Sequence, residues 1–144
     1  MENSQIQQLD NGLQPSSVRV LVVDDEPAIL FAYQKLIQSE GYGIDLCDGL
    51  EEALHLIQTS RYFAVITDIR LSGSGNTGGI QLLQAMRKQQ PEAKIIVVTG
   101  FGNSYVEKTL KDLGASHYFE KPVRPSLIIE LLRKFHMVDE ELTN

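Results

Sequence analysis

Residues 18–23, 62–66 and 95–98 are short runs dominated by β-branched and aromatic apolar side chains, and each stops at a polar group: Asp24, Thr67-Asp68 and Thr99. Runs this continuous read as strands covered on both faces, the pattern of a parallel sheet. Parallel neighbours cannot be joined by a tight turn and need a crossover, usually a helix. The segments between the runs have helical spacing. Pro27 suits a first helical turn, where its missing N–H is no loss. Ile29, Leu30, Tyr33, Leu36 and Ile37 then share one face, and Gly41 closes the helix. Residues 51–58 turn Ala53, Leu54 and Ile57 inward, and Ile80, Leu82, Leu83 and Met86 mark a third helix with Pro91 just beyond it. Val106, Leu110 and Leu113 mark a fourth, closed by Gly114. Leu127, Ile128, Leu131, Leu132 and Phe135 mark the last. With short strands at 44–47 and 117–119, the chain reads as five β–α units. That predicts an α/β fold: a doubly wound five-stranded parallel sheet flanked by five helices.

Composition narrows the function classes. The 144 residues carry a net charge of -6 and no basic block, which argues against direct nucleic-acid binding. No apolar run, 62–66 included, exceeds six residues, which is too short to span a bilayer. Residues 1–17 lack the charges and apolar core of a signal peptide and are expected to be a flexible tail. The single cysteine, Cys47, excludes an internal disulfide and reads as a small core hydrophobe. The expectation is a cytoplasmic domain over residues 18–138, with a C-terminal tail at 139–144.

Ligands of such folds bind at the carboxyl ends of the strands. There the sequence delivers Asp24, Asp25 and Glu26 after the first strand, Asp68 after the third, Thr99 after the fourth and Lys121-Pro122 after the fifth. Carboxylates gathered on one edge repel unless a cation sits between them, and hard oxygen donors suit Mg²⁺. A lysine and a hydroxyl beside that cation complete a site for a phosphoryl group, which a carboxylate can itself accept. Glu26 alone reads as a helix cap or a solvated side chain.

Leu21-Val22-Val23-Asp24-Asp25-Glu26, Asp68-Ile69-Arg70-Leu71, Gly79-Ile80-Gln81-Leu82-Leu83, Val98-Thr99-Gly100, Gly114-Ala115 and Tyr118-Phe119-Glu120-Lys121-Pro122 together resemble the receiver domain of two-component response regulators. The resemblance implies a flavodoxin-like strand order 2-1-3-4-5. It implies Asp68 as phosphoacceptor and Mg²⁺, or Mn²⁺ as a substitute, held by Asp25, by Asp24 mainly through water, by Asp68 and by the Arg70 carbonyl. Lys121, before a cis peptide to Pro122, would contact a phosphoryl oxygen. Thr99 and Tyr118 would form the switch. The implied donor is a sensor histidine kinase or histidine phosphotransfer protein. The implied output is a downstream protein partner, or a homodimer, using the fourth helix, fifth strand and fifth helix. No enzymatic activity is implied beyond phosphotransfer and autodephosphorylation.

Departures from the family pattern are visible. Ser72 stands where the family usually has Pro, and Gly79 follows Asp68 by eleven positions, three more than usual, within a glycine-rich loop at 73–79. Gly100 replaces a commoner Ala and should loosen its loop. Arg70 and Phe101 flank the implied approach of a hydrolytic water. Neither suits orienting one, so a long-lived phosphorylated state is expected. The match of residues 73–78 to GxGxxG lacks the acidic residue about twenty positions on that a dinucleotide site wants. His55, His117 and His136 have no metal-ligand spacing. A phosphorylation-independent interaction module remains the alternative, and a phosphatase would want a second Asp where Arg70 stands. The chain ends nine residues after Phe135, which points to a stand-alone receiver or to a fragment of a larger regulator.

Overall fold

The computed structural model describes residues 18–71, 77–100 and 102–143. Strands and helices alternate along them: β1 (Arg19–Val23), α1 (Pro27–Ser39), β2 (Gly43–Cys47), α2 (Leu50–Thr59), β3 (Ala64–Thr67), α3 (Gly78–Gln89), β4 (Lys94–Thr99), α4 (Ser104–Asp112), β5 (His117–Glu120) and α5 (Pro125–Thr143). The strands pair in parallel in the order β2-β1-β3-β4-β5. The doubly wound fold expected from the sequence is the observed one, with β2 at an edge.

Strand side chains alternate between the two faces of a sheet, so an unbroken apolar strand must feed two cores. Leu21, Val23, Val65, Ile95 and Val97 pack under α2, α3 and α4 against Ala53, Ile57, Leu82, Leu83, Met86 and Leu110. Val20, Val22, Ala64, Ile66, Ile96 and Val98 point the other way, against Tyr33 and Ile37 of α1 and Ile128, Ile129 and Leu132 of α5. Pro27 opens α1, and the Asn103 side chain caps α4 by accepting from the Val106 N–H at 2.9 Å. Gly41 and Gly114, at φ 88° and 113°, end α1 and α4 in the left-handed conformation that glycine adopts without strain.

β3 starts at Ala64 rather than at residue 62. Tyr62 is buried just before it, donating its N–H to Gln90 Oε1 (2.7 Å) and its hydroxyl to Asp45 Oδ2 (2.6 Å). The Gln90 amide, buried beyond α3, also donates to the carbonyls of Ile57 (2.8 Å) and Ser60 (2.7 Å), so one side chain ties three segments together. α5 continues to Thr143, through most of the segment expected to be a C-terminal tail. No Gly or Pro interrupts it there, and Glu and Leu favour the helix. The expectations for residues 1–17, and for most of the loop at 73–79, lie outside the described residues. Cys47 is buried, and burial first, then the Glu52 charge, pushes its thiol up to about 12. His117 is half-buried, stacked on Phe119 and edge-on to Phe135. No described helix is long and apolar enough to cross a membrane.

Candidate functional site

The sheet register sets the level at which each polar residue leaves the strands. Val23 is level with Thr67, Thr67 with Val97, and Val97 with Tyr118. Asp24 and Asp68 therefore emerge side by side, with Thr99 one step further along β4 and Lys121 beyond the end of β5. Lys121 closes the group. Its Nζ lies 3.0 Å from Asp24 Oδ2, 3.0 Å from Asp68 Oδ2 and 3.2 Å from Glu26 Oε1. Asp24 and Asp68 are each 5% exposed, whereas Asp25 and Glu26 face solvent.

Backbone donors fix the buried carboxylates. Asp68 Oδ1 accepts from the N–H groups of Ile69 (2.6 Å) and Arg70 (3.3 Å), and Asp24 Oδ1 accepts from the Glu26 N–H (2.9 Å). Burial pushes the Asp24 carboxyl above its ordinary range and the Asp68 charge adds to this, while the Glu26 N–H and the Lys121 ammonium oppose it. Burial alone would lower Lys121. Its hydrogen bonds to Asp24 and Asp68, and their charges, outweigh that and hold it above its ordinary range. Gly79 packs against this group: a Cβ there would overlap the Asp68 carbonyl oxygen and lie 2.6 Å from Ile69 Cα.

Thr99 is fully buried at the end of β4, and its carbonyl accepts the Lys121 N–H at 2.9 Å. The Lys121-Pro122 peptide is cis. Tyr118 is half-buried, its hydroxyl 3.5 Å from Glu120 Oε2 and so close to Gly102 that a Cβ there would overlap it. Arg70 is exposed, and Phe101 lies outside the described residues. The structure thus gathers Asp24, Asp68 and Lys121 into direct contact, with Thr99 tied to Lys121 through the backbone. Asp25 stands beside them, and among the described residues no three acidic, His or Cys side chains form a ready-made metal cluster. Glu26, read from the sequence as a cap or a solvated side chain, is exposed, makes no side-chain cap and reaches Lys121.

Four carboxylates against one ammonium leave a negative excess, and every side-chain donor is a hard oxygen. The residues present therefore fit Mg²⁺, which takes carboxylates and a carbonyl while keeping several waters.

Comparison with known proteins decides the family. The sequence model described as the response regulator receiver domain matches residues 20–133. The chain belongs to that family. This receiver is 33% identical over 116 residues to the transcriptional regulatory protein DltR of Streptococcus agalactiae, a match covering 81% of the chain and 50% of DltR. It is 31% identical over 103 residues to the transcriptional regulatory protein FixJ of Bradyrhizobium diazoefficiens, covering 72% of the chain and 49% of FixJ. The receiver spans about half the length of these two relatives. Among solved structures, a CheY-like receiver domain protein from Methanospirillum hungatei superposes with a TM-score of 0.75 at 30% identity, covering 86% of this chain and 98% of that one.

Proposed function

We propose that Asp68 takes a phosphoryl group from a phosphohistidine of a sensor histidine kinase or histidine phosphotransfer protein. The observation that carries this reading is the presentation of its buried carboxylate, one oxygen held by two backbone N–H groups and the other 3.0 Å from Lys121 Nζ. In that reaction an Asp68 oxygen attacks phosphorus in line, the P–N bond breaks and its electron pair stays on the imidazole. Lys121 then contacts a phosphoryl oxygen, exchanging part of its pairing with Asp24 and Asp68. Bound Mg²⁺, or Mn²⁺, supplies positive charge that offsets repulsion between the phosphoryl oxygens and the carboxylates. Asp25 would hold it directly, Asp24 chiefly through water, with Asp68 and the Arg70 carbonyl completing the protein's share. Thr99 would turn its hydroxyl to the phosphoryl group and Tyr118 would move inward, altering the α4-β5-α5 face that a downstream partner or a second copy reads. The chain's own chemistry is then limited to phosphotransfer and slow autodephosphorylation.

Intact-mass measurement after incubation with acetyl phosphate tests this. The expected result is a gain of one labile phosphoryl group that needs a divalent cation and is lost in Asp68→Ala. Asp25→Asn should weaken Mg²⁺ binding more than Asp24→Asn. An unmodified mass in the parent would leave an interaction module that works without phosphorylation.

A further inference from the structure

Beneath the acidic group, on the α1 side of the sheet, lies a cavity of about 600 Å³. Val22, Ile66 and Val98 of the sheet form its floor, Ile29 and Ala32 of α1 one wall, and Val123 beyond β5 another. Its volume is in the range of small-molecule sites, and like them it is largely apolar with few polar groups. Two observations mark it as more than a packing gap. The first is Tyr33, 3% exposed and lining the cavity, whose hydroxyl has no hydrogen-bond partner among the described residues. Opening on the cavity rather than on protein partners, that hydroxyl is free to bond a ligand's polar group in place of water. The second is the charge at the mouth, where Asp24 and Glu26 meet Lys121, two carboxylates to one ammonium.

We propose that this cavity is a binding site for a small cationic amphiphile, a primary amine on a compact aryl or alkyl body. The apolar body fills the space between α1 and the sheet. The ammonium sits at the mouth, where the excess carboxylate charge receives it and the Tyr33 hydroxyl faces it as an acceptor. A carboxylate head on the same body meets that excess charge with the wrong sign, and a neutral head gains only hydrogen bonds. The site shares Asp24 and Lys121 with the group around Asp68, but its test reads ligand binding and does not depend on phosphoryl acceptance.

Three probes with one body separate the contributions: 4-phenylbutylamine, 4-phenylbutan-1-ol and 4-phenylbutanoate, titrated into ¹⁵N-labelled full chain in chelator-treated buffer. The amine is expected to give saturable shifts centred on Ile29, Ala32, Tyr33 and Val123, and to bind about tenfold more tightly than the alcohol. Glu26→Gln, a change at an exposed residue, should bring the amine close to the alcohol without changing the alcohol itself. Ala32→Leu, which fills the wall, should abolish binding of both. If that variant does not fold, the Glu26→Gln comparison decides alone. 4-Phenylbutanoate binding as tightly as the amine, an amine affinity unchanged in Glu26→Gln, or shifts that fail to saturate or centre elsewhere would each overturn the proposal.

Discussion

At the scale of single residues, Gly79 is where backbone packing meets the site. Its N–H donates to the Ile69 carbonyl at 2.7 Å, and the atoms a Cβ would meet belong to the backbone of Asp68 and Ile69. Backbone atoms cannot swing aside as a side-chain tip can. Gly79→Ala is therefore expected to destabilise the fold by about 1–3 kcal/mol and to slow phosphoryl uptake by moving Asp68. Urea unfolding reads the first effect, and an unchanged midpoint would refute it. Cys47 gives a second prediction. With its thiol raised to about 12 and its side chain buried, the thiolate is scarce at pH 8. Iodoacetamide should leave the native chain unmodified there and label it rapidly in denaturant. Sequence reasoning located Asp24, Asp68, Thr99 and Lys121 because a strand's end fixes where its next residue emerges. Glu26 is exposed, as one of its two sequence readings had it, but its contact with Lys121 was out of view because it depends on the height of a residue 95 positions away. The cavity beside Tyr33 was equally out of view, since an aromatic at helical spacing looks the same whether or not its hydroxyl finds a partner.

At the scale of elements, the two helices on one face are clasped at an exposed point: Arg133 of α5 donates to both Glu40 oxygens, just beyond α1, at 2.7 and 2.6 Å. Arg133 holds the Glu40 carboxyl below its ordinary 4.5. A carboxyl lowered in the folded state contributes stability above its unfolded value and loses it as pH falls through the folded one. Glu40→Gln should thus melt about 1 °C below the parent at pH 7, with the gap closing as the pH drops below 4.5. The effect is small because solvent screens the pair, and a gap that widened in acid would contradict the assignment. On the opposite face, Met86→Ala empties a fully buried position in α3 and should cost about 2–5 kcal/mol. The elements themselves were legible because apolar runs and helical spacing alternate so regularly. Their edges were less so. Tyr62 looks like strand, but its N–H is taken by Gln90, and a glutamine among glutamines before Pro91 carries no sign that it will be buried.

At the scale of the whole molecule, Thr99 joins the acceptor edge to the surface formed by α4, β5 and α5. Its carbonyl anchors Lys121, and Tyr118 lies on the neighbouring strand under Gly102. In Thr99→Ala the proposed acceptor, the proposed cation ligands and Lys121 are all retained. Phosphoryl uptake should therefore persist while the Tyr118 ring resonances stop responding to it; a normal response would break the proposed coupling. The bond from Lys121 to Asp24 spans 97 positions and that to Asp68 spans 53. A ribosome releases the chain from its amino end, so β1 and β3 can be paired, with Asp24 and Asp68 facing one another, before the lysine that reconciles them has been made. Until β5 joins the sheet, those two carboxylates share a half-built edge without their ammonium. If Asp68 is the acceptor proposed above, receptivity to a phosphoryl group arrives with the last strand, and a nascent chain stalled short of it is expected to ignore the signal.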